Sequence, residues 1–184
     1  MTPNLRLCEM DELSKYVDHC FRIYEQRGIG DVNFHAYPLD MKRDHAEYMD
    51  KLKPKWATEP FCANSQITWG VFVDQRIVGS LCLVSGTIES QLHRVTLGIV
   101  VEPEYRSQGW GRQLMMASID WAKRNERIDW IDLHVFAKNL AALALYEKLG
   151  FHRNGILEDS TRLEGQSITE IRLSLNVSAT VIES

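Results

Sequence analysis

Arg106-Ser107-Gln108-Gly109-Trp110-Gly111 has the residue types of an anion cradle. An apolar run ends at Pro103, a short basic turn with glycines follows, and a helical pattern opens at Gly109. A strand, a loop and a helix N-terminus in that order aim free backbone N–H groups at one point. The helix dipole adds partial positive charge there. Gly109 and Gly111 let a bulky anion approach the backbone, and Arg106 adds a fixed charge. The loop is not a Walker A loop, because no Lys-Ser/Thr pair follows a G-x-x-x-x-G. Nor is it the dinucleotide fingerprint, whose third glycine would stand where the chain has Leu114. Taken alone, Arg106-x-x-Gly109-x-Gly111 serves equally well as an ordinary strand-to-helix turn.

Regular elements must hold such a loop, and hydrophobic periodicity supplies them. Residues 5–8 read as a short strand. Residues 11–27 read as a helix, with Leu13, Tyr16, Val17, Cys20, Phe21 and Tyr24 on one face, Asp11 and Glu12 in the first turn and Gly28 as its stop. Residues 28–39 are irregular. Asp31, Asn33 and His35 alternate there, but no H-E-x-x-H or EF-hand spacing supports a metal, so a polar loop is expected. Residues 40–53 read as a second helix that Pro54 ends, and residues 53–64 as a loop and a candidate substrate wall. Residues 67–73 and 76–84 are β-branched runs around Asp74-Gln75, a hairpin whose turn type stays open because it lacks glycine.

Residues 95–101 alternate as a half-buried strand, and residues 109–127 are helical with Trp110, Leu114, Ala117, Ser118 and Trp121 on one face. Residues 130–136 read as a strand. Asn139 can cap the next helix, which Gly150 ends. Residues 151–157 form a strand, and a turn at residues 164–166 leads into a last strand carrying Ile171, Leu173 and Leu175. The order β-α-α-β-β-β-α-β-α-β-β describes one α/β structure with a mixed sheet.

The 184 residues suit one domain, taken as residues 1–176, with 177–184 as a mobile tail. Apolar residues make up 45% and charged residues 25%, so a soluble globular class is expected, and no apolar run reaches 18 residues. The first residues lack a signal-peptide core, and Cys8, Cys20, Cys62 and Cys82 form no C-x-x-C pair. A cytoplasmic protein with reduced thiols and no membrane contact is expected. The net charge of −4 gives no basic footprint, so no nucleic-acid partner is expected. Five tryptophans allow a homodimer interface without requiring one.

Further motifs follow the loop in order. Leu97-Gly98-Ile99-Val100-Val101 precedes it. Leu133-His134-Val135-Phe136-Ala137-Lys138-Asn139-Leu140-Ala141-Ala142 and Leu145-Tyr146-Glu147-Lys148-Leu149-Gly150-Phe151 come after it. Together these resemble the GCN5-related N-acetyltransferases, with their R/Q-x-x-G-x-G/A, L-x-V-x-x-x-N-x-x-A and L-Y-x-x-x-G-F signatures. The resemblance covers residues 67–175, and the first 65 residues match it only in outline.

The resemblance implies a mixed, mainly antiparallel sheet flanked by helices, splayed near Val101 and Phe136, with acetyl-CoA as co-substrate and no metal. It implies that pantetheine pairs with main-chain groups of Ile99, Val100 and Val101, as a peptide adds to a sheet edge. The pyrophosphate would lie on the N–H groups of Ser107, Gln108, Gly109, Trp110 and Gly111 beside Arg106. Asn139 would contact the cofactor or cap its helix. Tyr146 matches the family's general acid, the alternative being a ring that only packs. The activity implied is acetyl transfer to a primary amine: a small molecule, an amino acid, a protein N-terminus or a lysine. A non-catalytic CoA-binding module, or a subunit acting by assembly, are the other readings. The glutamate that some members carry before the loop corresponds to Val95, which cannot act as a base. His93, His134, Glu89, Glu102 or a water relay stay open for that role.

Overall fold

Strand β4 (Arg94–Val101) and strand β5 (Trp130–Phe136) carry the alternation that organises the chain. Val95, Leu97, Ile131, Leu133 and Val135 are buried in one apolar cluster, while Thr96, Gly98 and His134 on the opposite face are exposed. The computed structural model describes residues 3–26 and 42–178. Within them, seven strands form one sheet in the order β1-β2-β3-β4-β5-β7-β6. The remaining strands are β1 (Asn4–Leu7), β2 (Gln66–Val73), β3 (Arg76–Ser85), β6 (His152–Leu163) and β7 (Gln166–Asn176). Every neighbouring pair is antiparallel except β4 with β5, so the sheet is mixed and mainly antiparallel as expected.

Helices α1 (Leu13–Glu25), α2 (His45–Ala57), α3 (Trp110–Lys123) and α4 (Leu140–Lys148) complete the expected element order. Leu114, Met115 and Ile119 of α3, with Leu143 and Tyr146 of α4, pack over the buried face of β3, β4 and β5. Leu13, Tyr16 and Val17 of α1 and Leu52 of α2 pack with Phe72 and Ile77, on the other face of β2 and β3. Among the described residues, this leaves the α1/α2-side face of β4, β5 and β7 open.

Several boundaries differ from the sequence reading. Pro54 does not end α2, which continues to Ala57. The proline ring removes a bond to the Asp50 carbonyl, and both residues are exposed, so water can serve that oxygen. Trp56, with its ring 5.3 Å from that of Tyr16, holds the last turn down. The following loop is not a wall of the central cleft. Its Phe61 stacks on Trp121 of α3 at 5.3 Å, and Ser65 N–H and C=O bond to the Cys62 and Ser85 backbone, at the N-terminal end of β4. Asp74 and Gln75 both take positive φ (48° and 66°), so the hairpin turn is of the I′ kind without glycine. Strand β6 runs to Leu163, beyond the expected 157, because two register shifts let it follow β7. Val177 N–H bonds to the Asp129 carbonyl and its side chain is buried. Gly28, the alternating Asp31, Asn33 and His35, and residues 179–184 lie outside the described residues.

Candidate active site

Pairing between β4 and β5 stops at Leu97↔Leu133. Strand β4 continues against β3 as far as Val101, and β5 continues against β7 as far as Phe136. The two strands therefore part, and Ile99 and Val101 lose their neighbour on the β5 side. A cleft of about 260 Å³ opens there, lined by Ile99, His134, Val135, Phe136, Asn139, Tyr146 and Glu170. A gap between parallel strands lets groups from both faces of the sheet meet. Tyr146 enters from the α3/α4 face, and His134 and Glu170 from the open face.

The loop after β4 carries a run of backbone N–H groups without backbone partners. Pro103–Tyr105 form a single 3-10 turn, and Gly109 takes φ 86° at the N-cap of α3. Ser107 is also left-handed, at φ 59°. No backbone N–H from Ser107 to Arg112 has a backbone partner, and the first helical bond runs from Gln113 N–H to the Gly109 carbonyl at 3.1 Å. Such consecutive orphan donors at a helix start are what an anion needs. A Cβ at Gly111 would meet only Leu145 Cδ2 at 3.7 Å, so packing inside the protein does not require glycine there. Arg106 donates Nε–H to the Val101 carbonyl at 2.9 Å, which fixes its stem across the strand end. Gln108 Nε2 donates back to the Glu104 carbonyl within the loop, and the Trp110 ring packs against the core with its Nε1 buried without a partner.

Asn139 caps α4, its Oδ1 accepting from Ala142 N–H at 3.2 Å, and it lines the cleft as well. Both roles weighed from the sequence are geometrically open to it. The Tyr146 ring is buried against Phe151, and burial pushes its phenol up to about 12. No hydrogen bond from the described residues occupies its hydroxyl, so the proton is held and available.

The basic candidates separate by position. Glu102 is fully buried. Its Oε1 accepts from His19 Nδ1 at 2.9 Å and Arg22 Nε at 3.0 Å, and its Oε2 from Arg76 Nη2. Burial pushes its carboxyl up, but these bonds and the Arg22 charge outweigh burial and hold it at about 2. It ties α1 and β3 to the end of β4 and is closed to an amine. Glu89 and His93 precede β4, and His93 is six residues from Ile99, roughly 20 Å along a strand. Only His134 of the four lines the cleft. Its Nδ1 stands 3.2 Å from Glu170 Oε1. Sequence reading missed Glu170, because the signal is a register fact: Glu170 opposes Phe136, two positions along β5 from His134. Val95 needs a correction too. It faces the core, so a glutamate reaching the open face of β4 would have to stand at Thr96 or Gly98.

The sequence model of the acetyltransferase (GNAT) family matches residues 20–151. N-acetyltransferase aca1 of Schizosaccharomyces pombe is 28% identical over 141 residues, covering 71% of this chain. The chain spans 66% of that protein's length, short of two thirds. Among solved structures, an acetyltransferase of the GNAT family from Streptococcus pneumoniae superposes with a TM-score of 0.76 at 22% identity, covering 95% of this chain and 99% of its own. Another, yncA from Salmonella typhimurium with its cofactor acetyl-CoA, has a TM-score of 0.78 at 13% identity, covering 100% and 99%. Both likenesses are of fold.

Proposed function

Because the chain belongs to the acetyltransferase (GNAT) family, we propose that it transfers the acetyl group of acetyl-CoA to a primary amine. The observation that carries this reading is the parting of β4 and β5, which lets Tyr146 on one face and His134 on the other share a single cleft. Acetyl-CoA supplies a thioester, and its pyrophosphate has the charge and size for the orphan N–H groups of residues 107–112, with Arg106 alongside. The edge of β4 at Ile99 and Val101, on either side of Val100, offers main-chain groups to an extended, amide-bearing arm. No metal enters this chemistry.

An alkyl amine is mostly protonated at pH 7 and cannot attack in that form. His134 lies on the open face, where an acceptor can reach it, and takes the proton from the amine. A C–N bond then forms at the acetyl carbon, and main-chain N–H groups near Val101 stabilise the oxyanion. The C–S bond breaks, Tyr146 donates its proton to the departing sulfur, and the second proton, shed by the acylated nitrogen, restores the phenol. A phenol held near 12 keeps that proton throughout the neutral range. The burial that raises the phenol also penalises a bare thiolate beside it, so the two proton affinities move together.

Thiol release from acetyl-CoA across an amine panel tests the reading. Tyr146→Phe is expected to lower turnover by about 10²-fold, the low end of general-acid effects, with the KM for acetyl-CoA little changed. Near-native turnover in a folded Tyr146→Phe variant would remove the acid role. Tight CoA binding with no amine-dependent release would leave a non-catalytic binding module instead.

A further inference from the structure

We infer that the acceptor carries a carboxylate close to its reacting amine, in the manner of a free α-amino acid, and that Arg172 receives it. The inference rests on the acetyl-transfer reading and concerns the other substrate of the same cleft. Arg172 is the register partner of His134, so the two side chains rise from the same face of the sheet, with Cβ atoms about 5 Å apart. Gly155 lies opposite Arg172 on β6, and the Arg172 stem runs over it, with Cβ and Cδ both 3.7 Å from where a Cβ would be. The missing side chain at Gly155 gives the Arg172 stem its room on the β6 side.

The cations of this face are not equivalent. Arg94 is committed to Asp132 through two hydrogen bonds, of 2.8 Å and 2.5 Å. Arg172 is half exposed, and among the described residues its guanidinium has only Glu170, with Nε 3.8 Å from Oε1, beyond hydrogen-bond reach. A planar fork of donors with no committed partner is suited to a carboxylate.

Glu170, in the cleft wall with His134, and Arg172 behind it thus set one negative and one positive group side by side. A zwitterion matches that pattern: its ammonium lies toward Glu170 and His134, its carboxylate toward Arg172. In an α-amino acid the nitrogen and carboxylate oxygens lie on the order of 3 Å apart, from ordinary bond lengths. Adjacent strand positions can serve both ends at once. A carboxylate-free amine leaves the Arg172 fork unmet, and a site built for a polar group rejects the analogue that lacks it.

The experiment compares thiol release from acetyl-CoA with the twenty α-amino acids against their amides and their decarboxylated amines. It uses the full chain, Arg172→Gln and Arg172→Lys, with CoA binding measured in each as the check on folding. The expected result is at least a tenfold higher kcat/KM for reactive acids than for their carboxylate-free counterparts. Arg172→Gln should erase that preference through KM, by tenfold or more, and Arg172→Lys should restore part of it, with CoA affinity unchanged. Amides or decarboxylated amines reacting as fast as the acids would overturn the inference and leave acetyl transfer standing. So would Arg172→Gln acting on acids no differently from the unaltered chain. Silence from every amine would count against the transfer reading itself and the acceptor class with it.

Discussion

His134 and Glu170 meet because β5 and β7 are antiparallel and in a register that sets Glu170 across from Phe136. Their approach, 3.2 Å between Nδ1 and Oε1, has a chemical consequence. A carboxylate beside Nδ1 favours the tautomer with its proton there, which leaves the Nε2 lone pair for an incoming amine. His134→Gln should therefore lower kcat/KM by about 10²-fold or more. Glu170→Gln should act more weakly, through kcat, by roughly tenfold at the low end for a group acting through another. Nitrogen-15 spectra give the separating readout: the Nδ1–H tautomer of His134 should lose population in Glu170→Gln. An unchanged tautomer with unchanged kcat would leave Glu170 with only a surface role.

The loop between β4 and α3 shows how an element carries a site. Gly109 sits at φ 86°, yet a Cβ there would have only Gln113 Nε2 within 4 Å, at 3.8 Å. Conformation, not space, demands glycine, so Gly109→Ala should cost about 1 kcal/mol in urea-unfolding free energy and raise the KM for acetyl-CoA. Gly111 has no positive φ and ordinary neighbours. Gly111→Ala should keep the native stability and raise the KM for acetyl-CoA several-fold, because the new methyl group occupies only the ligand's space. Equal stability losses in the two variants would contradict this division of roles. The contrast also shows what a sequence discloses. The glycine loop, the Asn139 cap, the Tyr146 motif and the strand alternation are local patterns, and each was legible. Glu170 and Arg172 became visible only through register, which pairs β7 with β5 across more than thirty residues of chain. The span of α2 was misread because Pro54 is tolerated where a helix is exposed and its last turn is anchored by Trp56. The role of Glu102 was hidden for the same reason as that of Glu170: its partners come from α1 and β3, far away in sequence.

At the scale of the molecule, that buried cluster joins α1, β3 and β4 just before the loop proposed to hold the pyrophosphate, so its protonation governs the fold that holds the candidate site. His19 has no exposed surface, and burial holds its imidazole below its usual range against the opposing pull of Glu102. It is thus neutral when folded: Nδ1–H donates to Glu102, and Nε2 is buried without a partner. The unfolded chain takes up this proton near pH 6.5, so acidification favours unfolding from there downward. Glu102 and Glu12 add a second stage. Glu12 is held at about 2, chiefly by its hydrogen bonds from Arg6, and Glu102 at about 2 by His19 and Arg22 against burial. Their contribution is present above the ordinary carboxylate value of 4.5 and is lost as pH falls from there toward 2. The urea midpoint should therefore fall in two steps, one between about pH 7 and 5 and one below about 4.5. His19→Gln keeps an N–H donor for Glu102 but cannot take up the proton, so it should remove the first step and spare the second. Glu102→Gln should lower stability by about 3 kcal/mol at pH 7, because the guanidinium groups of Arg22 and Arg76 lose the charge they surround. A single-step profile in the unaltered protein, or a first step that survives His19→Gln, would mean that some other group links the fold to acid.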